Sequence, residues 1–526
     1  MKKFTIILLI LICISKITSA QIAFQKTFGS TSSTWNDFGR AVLQDTIDGG
    51  YTIAGFTNSF GAGVGIYLFH TNVNGSVLWS KQYGSNAYGE SILQTFDGGY
   101  IIAGLKYSSP GFHFYAVRTD NNGDTLWTKT YNNGTSPGAA SDGTMSVWQT
   151  TDGGFVFTGY YDANNCFGII RTDANGNILW TKAYGGGGEH SHSLQQTADG
   201  GLIICGYTFN FGAGDYDVYL VKTDNTGNIL WTKTYGTTGV EEPYSVQQTT
   251  DGGYIITGKT QPGGILSQGY VFLIKTNSTG DTLWTKSYGG TVGEMGYSVQ
   301  QTTDGGYIVT GVTYSFGAGG QDVYLIRTNS TGDILWTKAY GGINNDFGIS
   351  VKQTANGGFI ITGETSSFGA GGIDVYLICT DANGNSGCNE SGTNTIVGNP
   401  SFITSSGGTI LSSGAIAYHD SISVTNPVKT EIPLCTYVVI PQLSNNSETV
   451  NIYPNPASDI VTLNIDNIIN ADLILNIYNV IGELVKSELL KQNQQKINVK
   501  GLNNGIYIVE IKSKKWTEKQ KLIIQR

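Results

Sequence analysis

The sequence predicts an all-β fold, and three observations carry that prediction. Glycine accounts for 73 of the 526 residues, whereas charged residues make up only 13% of the chain, about half of the usual quarter. Aromatic residues make up 11%, so the chain can bury enough apolar surface to fold. Most important, one unit rich in Val, Ile, Tyr, Thr and Trp recurs along the chain, and these residue types favour strands.

The first element is a leader, residues 1–20. Two lysines precede an apolar stretch from Phe4 to Ile14, and small residues lead up to Ala20. This pattern indicates a secretory signal peptide. The stretch is shorter than the roughly 20 residues that a membrane-spanning helix needs, and we predict no transmembrane span elsewhere. Cys13 leaves a lipoprotein open as an alternative, although bulky residues precede it.

Residues 22–385 consist of a repeat with a period near 52 residues. Two independent motifs mark it, a D-G-G turn (once N-G-G) and the run L-W-x-K-x-Y. The turn begins at Asp48, Asp97, Asp152, Asp199, Asp251, Asp304 and Asn356. The Trp of the second motif lies at Trp79, Trp127, Trp180, Trp231, Trp284 and Trp336.

Each unit contains four short runs with strand composition. In the fifth copy these runs are 244–249, 254–260, 270–276 and 282–288. The turns between them contain the Gly and Asn residues that tight hairpins need for positive φ angles. Four-stranded units of this length, each sheet packed between its neighbours, are typical of a β-propeller.

The motif count predicts seven blades that are closed by the N-terminal strand. Seven D-G-G turns are followed by only six Trp strands, and the last unit stops at 381–385. Residues 23–29 match L-W-T-K-T-Y-G, with Phe24 in the Trp position. This strand would complete the seventh blade and leave no unpaired sheet edge. The Trp strand is then expected to be outermost, and the S-V-Q-Q-T strand to line the central channel.

The repeat also resembles known families. Its K-T-D-x-x-G-x-x-L-W segment is similar to the Trp-docking repeat of quinoprotein-type propellers, and the whole unit resembles bacterial secreted β-propeller repeats. The resemblance spans 22–385 and implies a fold rather than a function.

The loops that enter the innermost strands carry the candidate ligand-binding residues. They share a face with the longer connections, where binding usually resides. Six blades place an acid at one position, which symmetry would arrange around the channel mouth: Asp37, Asp142, Glu189, Glu241, Glu294 and Asp346. Carboxylates accept hydrogen bonds from hydroxyl groups and bind hard cations, so we predict a site for glycans or Ca²⁺. The alternative is that each acid binds backbone N–H groups of its own loop.

No sequence motif indicates catalysis, a cofactor or a metal centre. The run Glu189-His190-Ser191-His192 combines an acid with two histidines, but we identify no third ligand. The G-x-S-x-G, P-loop and H-E-x-x-H motifs are absent. We therefore predict no catalytic residue and no cofactor, with Ca²⁺ as the one ion that the acids could take. Asp217, Asp322 and Asp374, just before V-Y-L, are expected to cap the strands that follow.

The net charge indicates which partners to exclude, and the cysteines indicate whether a disulfide forms. Residues 21–448 carry a formal net charge of −15, which would repel phosphate backbones, so we predict no nucleic-acid binding. Export permits disulfides, and we predict one between Cys388 and Cys435. These two cysteines bracket most of a Ser/Thr/Gly-rich spacer, 386–445, with a few short strands.

Residues 446–526 are predicted to form a small Ig-like β-sandwich, because short alternating apolar runs follow one another there. The module resembles the C-terminal sorting domain of the type IX secretion system of Bacteroidota. The matching residues are Tyr453, Pro454, Asn455 and Pro456, then Gly505 and Tyr507, and finally Lys521 and Leu522. The resemblance implies export across the outer membrane by the type IX machinery. A binding module is the alternative.

These observations favour a secreted or cell-surface monomer that binds a glycan or protein ligand without catalysis. One alternative is a secreted carbohydrate-active hydrolase that uses the acids of the long-loop face, because glycoside hydrolysis needs two carboxylates. Another alternative is a passive structural scaffold.

Overall fold

The structure is a computed structural model. It describes residues 21–30, 34–60, 63–109, 111–132, 146–161, 166–263, 269–370, 372–407, 409–412, 416–419, 424–425, 430–439, 450–465, 473–479, 482–490, 492, 494–512 and 517–525. Two compact units contain these residues: one is Ile22–Tyr437, and the other comprises Val438–Arg526 together with Gln21. Every regular element in the described ranges is a β-strand. Among them is no helix that could cross a membrane.

The repeats of the first unit supply 28 of the described strands. In chain order they are β1 (Gln21–Gly29), β2 (Asp37–Gln44), β3 (Tyr51–Thr57), β4 (Gly65–Thr71), β5 (Val77–Tyr83), β6 (Ala87–Gln94), β7 (Tyr100–Ser108), β8 (Gly111–Thr119), β9 (Thr125–Asn132), β10 (Ser146–Gln149), β11 (Phe155–Tyr161), β12 (Cys166–Thr172), β13 (Ile178–Gly185), β14 (Glu189–Gln196), β15 (Leu202–Thr208), β16 (Asp217–Thr223), β17 (Ile229–Gly236), β18 (Val240–Gln248), β19 (Tyr254–Gln261), β20 (Tyr270–Thr276), β21 (Thr282–Gly289), β22 (Glu294–Gln301), β23 (Tyr307–Thr313), β24 (Asp322–Thr328), β25 (Ile334–Tyr340), β26 (Asp346–Gln353), β27 (Phe359–Thr365) and β28 (Asp374–Thr380).

These strands form seven antiparallel sheets in the described part of the chain. Sheets 1 to 6 are β2–β5, β6–β9, β10–β13, β14–β17, β18–β21 and β22–β25, and sheet 7 contains β26, β27, β28 and β1. The second and third strands of each sheet are the most buried; all seven residues of β16, for example, are buried. Neighbouring sheets cover both faces of these strands, and this explains the continuous apolar runs in the sequence.

The repeat motif joins each sheet to the next. A β-carbon on Gly280, a residue with φ +79°, would lie 2.8 Å from the Trp231 ring, so the indole rests directly on this turn of the following sheet. Tyr235 donates a hydrogen bond to Gly280 O at 2.6 Å, and Lys233 Nζ lies 3.1 Å from Asp281 Oδ1. The same Trp-on-Gly contact occurs at Trp79–Gly123, Trp127–Gly176, Trp180–Gly227, Trp284–Gly332 and Trp336–Gly384.

The N-terminal strand β1 lies in the sheet of the last repeat. It pairs with β28, with Thr27 opposite Tyr376. Phe24 takes the place of the Trp, because a β-carbon on Gly75 of sheet 1 would lie 2.6 Å from its ring. One buried cluster combines Phe24 and Phe28 with residues of sheet 1, and β2 contacts both β26 and β6.

The predicted spacer has an unexpected role, because it adds a fifth strand to every sheet. We call Glu390–Val439 the belt. Its strands are β29 (Glu390–Gly392), β30 (Ile396–Gly398), β31 (Ile403–Ser405), β32 (Thr409–Ser412), β33 (Ile416–His419), β34 (Val424–Thr425) and β35 (Thr430–Val439). They pair, in that order, with β25, β21, β17, β13, β9, β5 and β1. The prediction that the Trp strand is outermost is therefore wrong: an outer strand has unpaired N–H and C=O groups, and the belt supplies their partners.

The two ends of the belt are tied together. Cys388 and Cys435 form a disulfide with a Cα–Cα distance of 6.1 Å, which confirms the predicted pair. Lys26 of β1 forms a salt bridge with Glu431 of β35. Among the described residues the free cysteines are Cys166, Cys205 and Cys379, and all three are buried.

The second unit contains two sheets. The strands are β36 (Val450–Tyr453), β37 (Ile460–Ile465), β38 (Leu473–Tyr478), β39 (Leu484–Leu490), β40 (Gln494–Asn498), β41 (Gly505–Lys512) and β42 (Thr517–Ile524). One sheet has the order β36-β37-β40 and the other β39-β38-β41-β42, and they share one apolar core. Residues of the predicted sorting motif stabilise this unit. Asn455 Nδ2 donates a hydrogen bond to Lys521 O at 2.6 Å, and Asn455 Oδ1 accepts one from Ile523 N at 2.8 Å. Leu522 is fully buried.

Candidate functional site

The acids predicted to surround a channel mouth are buried at the start of the first strands. Their relative exposure is 0 to 1% in the five cases that the structure describes: Asp37, Glu189, Glu241, Glu294 and Asp346. Asp142 lies outside the described residues. A carboxylate with so little exposed surface does not contact a ligand as large as a glycan in solution.

Each of these acids binds groups of its own connection. Glu241 accepts hydrogen bonds from Thr237 N and Thr260 Oγ1, both at 2.7 Å. Asp346 accepts one from Gly342 N at 2.8 Å. The equivalent backbone donors are Ser30 N for Asp37, Gly186 N and Gly187 N for Glu189, and Gly290 N for Glu294. This is the loop-stabilising role named above as the alternative; ligand binding by these acids stays a prediction.

A second set of acids begins three of the third strands. Asp217, Asp322 and Asp374 are buried, and Asp217 and Asp374 accept hydrogen bonds from the loop before them rather than from the strand after them. Asp217 Oδ2, for example, accepts hydrogen bonds from Ala213 N and Gly214 N at 3.0 and 3.1 Å. The glycine-rich loops therefore wrap around these carboxylates.

A set of mostly half-buried side chains comes from alternate positions of the first two strands in six of the seven sheets, all but sheet 3. We call them the first-strand cluster. Its members are Phe38, Arg40, Phe56, Tyr88, Glu90, His190, His192, Tyr207, Glu242, Tyr244, Lys259, Tyr297 and Glu364. All are half-buried except Glu364, which is 9% exposed. Both charges and aromatic rings are represented, as in many ligand sites.

An ion pair network occupies one side of the cluster. Arg40 Nη1 lies 2.8 Å from Glu364 Oε1, and Arg40 Nε lies 3.6 Å from Glu90 Oε2. The guanidinium also lies 5.7 and 5.2 Å from the ring centroids of Phe38 and Phe56. Burial raises the pKa of Glu90 to about 7, with Arg40 opposing the rise and Glu364 adding to it. Burial likewise raises the pKa of Glu364.

Aromatic rings and histidines occupy the other side. The Tyr207 ring stacks on His190 at 4.9 Å and on Tyr216 at 5.1 Å. His192 lies 5.2 Å from the Tyr244 ring. Burial, with the nearby charge of His190, lowers the pKa of His192 to about 3, so this imidazole is neutral at physiological pH.

The His190/His192 pair acquires no further metal ligand. Across the described residues no three His, Cys, Asp or Glu side chains come together as a metal site. Both imidazoles instead pack against aromatic rings, which is a structural role.

Sequence reasoning missed most of the first-strand cluster, although a signal was present. The last Gln of the S-V-Q-Q-T run is present in every copy, whereas two positions early in the first strand change from copy to copy: Phe38/Arg40, Tyr88/Glu90, His190/His192, Glu242/Tyr244, Met295/Tyr297 and Phe347/Ile349. Positions that a repeat fold leaves free to vary are those that its packing does not constrain.

Comparison with known proteins characterises the C-terminal unit. Residues 451–525 match the family model described as the secretion system C-terminal sorting domain. The domain indicates export by the type IX secretion system of Bacteroidota and an interaction with its machinery. The protein is therefore secreted or located at the cell surface.

Similarities elsewhere are weaker. One curated relative, the regulatory protein FlaEY of Caulobacter vibrioides, is 28% identical over 165 residues; the match covers 27% of this chain and only 17% of that protein.

Among solved structures, a protein of unknown function from Bacteroides caccae has 11% identity and a TM-score of 0.33, covering 50% of this chain and 93% of its own. PorZ, described as a surface component of the type IX secretion system of Porphyromonas gingivalis, has 10% identity and a TM-score of 0.26, covering 93% and 81%. A fungal alcohol oxidase of the AA5 family has 10% identity and a TM-score of 0.34, covering 94% and 99%. These TM-scores are too low to indicate a shared fold.

Proposed function

We propose that the protein is a monomeric seven-bladed β-propeller, closed by its N-terminal strand, that binds a glycan or protein ligand outside the cell without catalysis. Three contacts support closure. Strand β1 pairs with β28, Phe24 rests on Gly75 as each Trp rests on the next sheet, and β2 contacts β26. A closed arrangement also leaves none of the described sheets without neighbours on both faces.

The first-strand cluster is the observation that supports ligand binding. In a closed propeller the first strands surround the axis, so their half-buried side chains would line one continuous surface. Tyrosine and histidine rings offer flat apolar faces, and Arg40, Glu90 and Glu242 offer hydrogen-bonding groups beside them. Sugar rings combine an apolar face with hydroxyl groups at the edge, and such a surface matches both.

The test is a glycan array probed with the purified full chain. We expect Tyr207→Ala and Tyr244→Ala to weaken binding about tenfold or more, which corresponds to about 1.4 kcal/mol. Phe96→Ala is the matched control, because Phe96 is an exposed aromatic residue, at 71%, beside a D-G-G turn. Binding that resists both tyrosine changes would contradict this site. A chain that binds no glycan and cross-links to no protein would favour the passive scaffold.

One observation favours the hydrolase as a second candidate. Glu90 has a pKa near neutrality, as a general acid requires, and Glu364 lies on the other side of Arg40. The first-strand cluster would then supply the carboxylate pair, rather than the buried acids of the loops. A polysaccharide panel decides between the two candidates: release of reducing sugar that Glu90→Gln abolishes would establish hydrolysis and overturn the non-catalytic proposal.

A further inference from the structure

Two buried carboxylates meet where sheet 6 adjoins sheet 7. Asp322 begins β24 and Asp346 begins β26, and neither is exposed. A β-carbon on Gly341 would lie 2.1 Å from Asp322 Oδ1 and 2.6 Å from Asp346 Oδ2, so the two carboxylates flank the same backbone position. The Oδ1 atoms of both residues have no hydrogen-bond partner.

The junction between sheets 4 and 5 repeats this arrangement. A β-carbon on Gly236 would lie 1.7 Å from Asp217 Oδ1 and 2.8 Å from Glu241 Oε2. Both acids are fully buried, and Asp217 Oδ1 has no hydrogen-bond partner. The pairing at Gly341 thus recurs at Gly236 with different acids.

A backbone carbonyl accepts a hydrogen bond from the N–H group of the second acid of each pair. Asp346 N donates to Gln321 O at 2.6 Å, and Glu241 N donates to Tyr216 O at 2.7 Å. Each carbonyl belongs to the residue just before the first acid of its pair. A carbonyl that accepts one hydrogen bond keeps a second lone pair. Each junction therefore offers oxygens from two carboxyl groups and one backbone carbonyl.

Among the described residues, backbone N–H and hydroxyl groups donate hydrogen bonds to these pairs. Burial, and then the charge of Asp346, raises the pKa of Asp322 to about 7, and burial raises the pKa of Asp346. The pKa of Glu241 is raised by burial and by Asp217. No lysine or arginine is among the groups that act on these carboxyls. Buried ionised groups without a counter-charge cost several kcal/mol each.

We propose that each of these two junctions binds a hard divalent cation, with Ca²⁺ as the expected ion. Asp322, Asp346 and Gln321 O hold one ion; Asp217, Glu241 and Tyr216 O hold the other. Carboxylate and carbonyl oxygens are the ligands that Ca²⁺ prefers, and sites with few charged ligands in extracellular proteins bind it at submillimolar to millimolar concentrations. The ion would join adjacent sheets, so it would stabilise the fold rather than take part in ligand binding.

The junction of sheets 7 and 1 also has two buried acids, Asp374 and Asp37. There Asp37 accepts hydrogen bonds from Ser30 N at 3.0 Å and from Ser59 Oγ at 2.8 Å, so the protein supplies its partners.

The other described junctions lack the second acid. Glu189 faces Cys166, whose pKa burial and the nearby carboxylate raise to about 11, and Glu294 lies beside Tyr270 at Gly289. At the junction of sheets 1 and 2 the equivalent residues are Gly65 and Ala87. A junction with a single acid has no second carboxylate whose charge a cation would have to balance.

The test measures the melting temperature of the full chain after removal of metal with a chelator. Millimolar CaCl₂ should raise the melting temperature by a few degrees, because an ion that binds only the folded state stabilises it. Asp217→Asn and Asp322→Asn should each remove part of this rise, and the double variant all of it. Glu294→Gln is the matched control: it removes a buried acid that has no acidic partner, and should leave the calcium response intact.

A proton could balance the charge of each pair instead of a cation. Melting temperatures measured over a range of pH distinguish the two. If a proton shared within a pair supplies the counter-charge, raising the pH removes that proton and leaves two buried negative charges side by side. The metal-free chain should therefore melt at lower temperature at pH 8 than at pH 5, and CaCl₂ should remove most of that difference. A melting temperature that responds to pH but not to calcium would overturn the proposal. So would a calcium response that survives in the double variant.

Discussion

At the scale of single residues, the positions that the repeats keep constant serve packing between sheets. Trp231 rests on Gly280, and Tyr235 reaches a carbonyl of the same turn. The acids of the first strands hold their own connections. Recurrence of a residue within a repeat therefore indicates a structural role here, and the candidate ligand-binding residues are those that change from copy to copy.

Removing one of these interactions should have a modest effect. Tyr235→Phe leaves Gly280 O, which lies in a buried contact, without its donor, so we expect a loss of about 1 kcal/mol in the free energy of unfolding. Thermal or denaturant unfolding of the variant measures it. Phe28 occupies the equivalent position in β1, so Phe28→Tyr is the reciprocal control. An unchanged stability of Tyr235→Phe would contradict the role assigned to this hydroxyl.

At the scale of elements, the belt determines how the sheets end. Each of its short strands pairs with one sheet. Along the belt the partner strands run from β25 back to β1, which is the reverse of their order in the chain. Strand β1 lies between β28 and the last belt strand, β35. The Cys388–Cys435 disulfide fastens the start of the belt to its end, so it also retains β1.

Opening the disulfide should destabilise the first unit. The sequence separation of the two cysteines is 47 residues, and a loop of this size predicts that the disulfide contributes about 2–4 kcal/mol. Cys388→Ser/Cys435→Ser should therefore lower the melting temperature. A reductant should lower the melting temperature of the natural chain and leave that of the variant unchanged. Equal melting temperatures of variant and natural chain would show that the belt does not need its covalent closure.

At the scale of the whole molecule, the sorting domain and the repeats lie in different units. The C-terminal unit matches a sorting domain, whereas the repeats carry the first-strand cluster and the two carboxylate pairs. Export and ligand binding can therefore be tested independently of one another.

Deletion of 450–526 should prevent export across the outer membrane. Because the sorting domain is what the type IX machinery recognises, the truncated chain should accumulate in the periplasm. Cell fractionation with an antibody to the repeats measures this, and the full chain in the same strain is the control. Normal appearance of the truncated chain in the medium or at the cell surface would contradict it.

The sequence by itself determined the all-β class, the repeat, the hairpin turns, the pairing of Cys388 with Cys435 and the sorting domain. These features depend on local residue patterns or on motifs that can be counted. Only the tertiary structure placed the belt on the outer edge of every sheet, because strands such as β34, with two residues, carry no pattern of their own. It also decided which acids are buried and which side chains meet. Asp322 and Asp346 are far enough apart in sequence that only the packing of one sheet on the next brings their charges together.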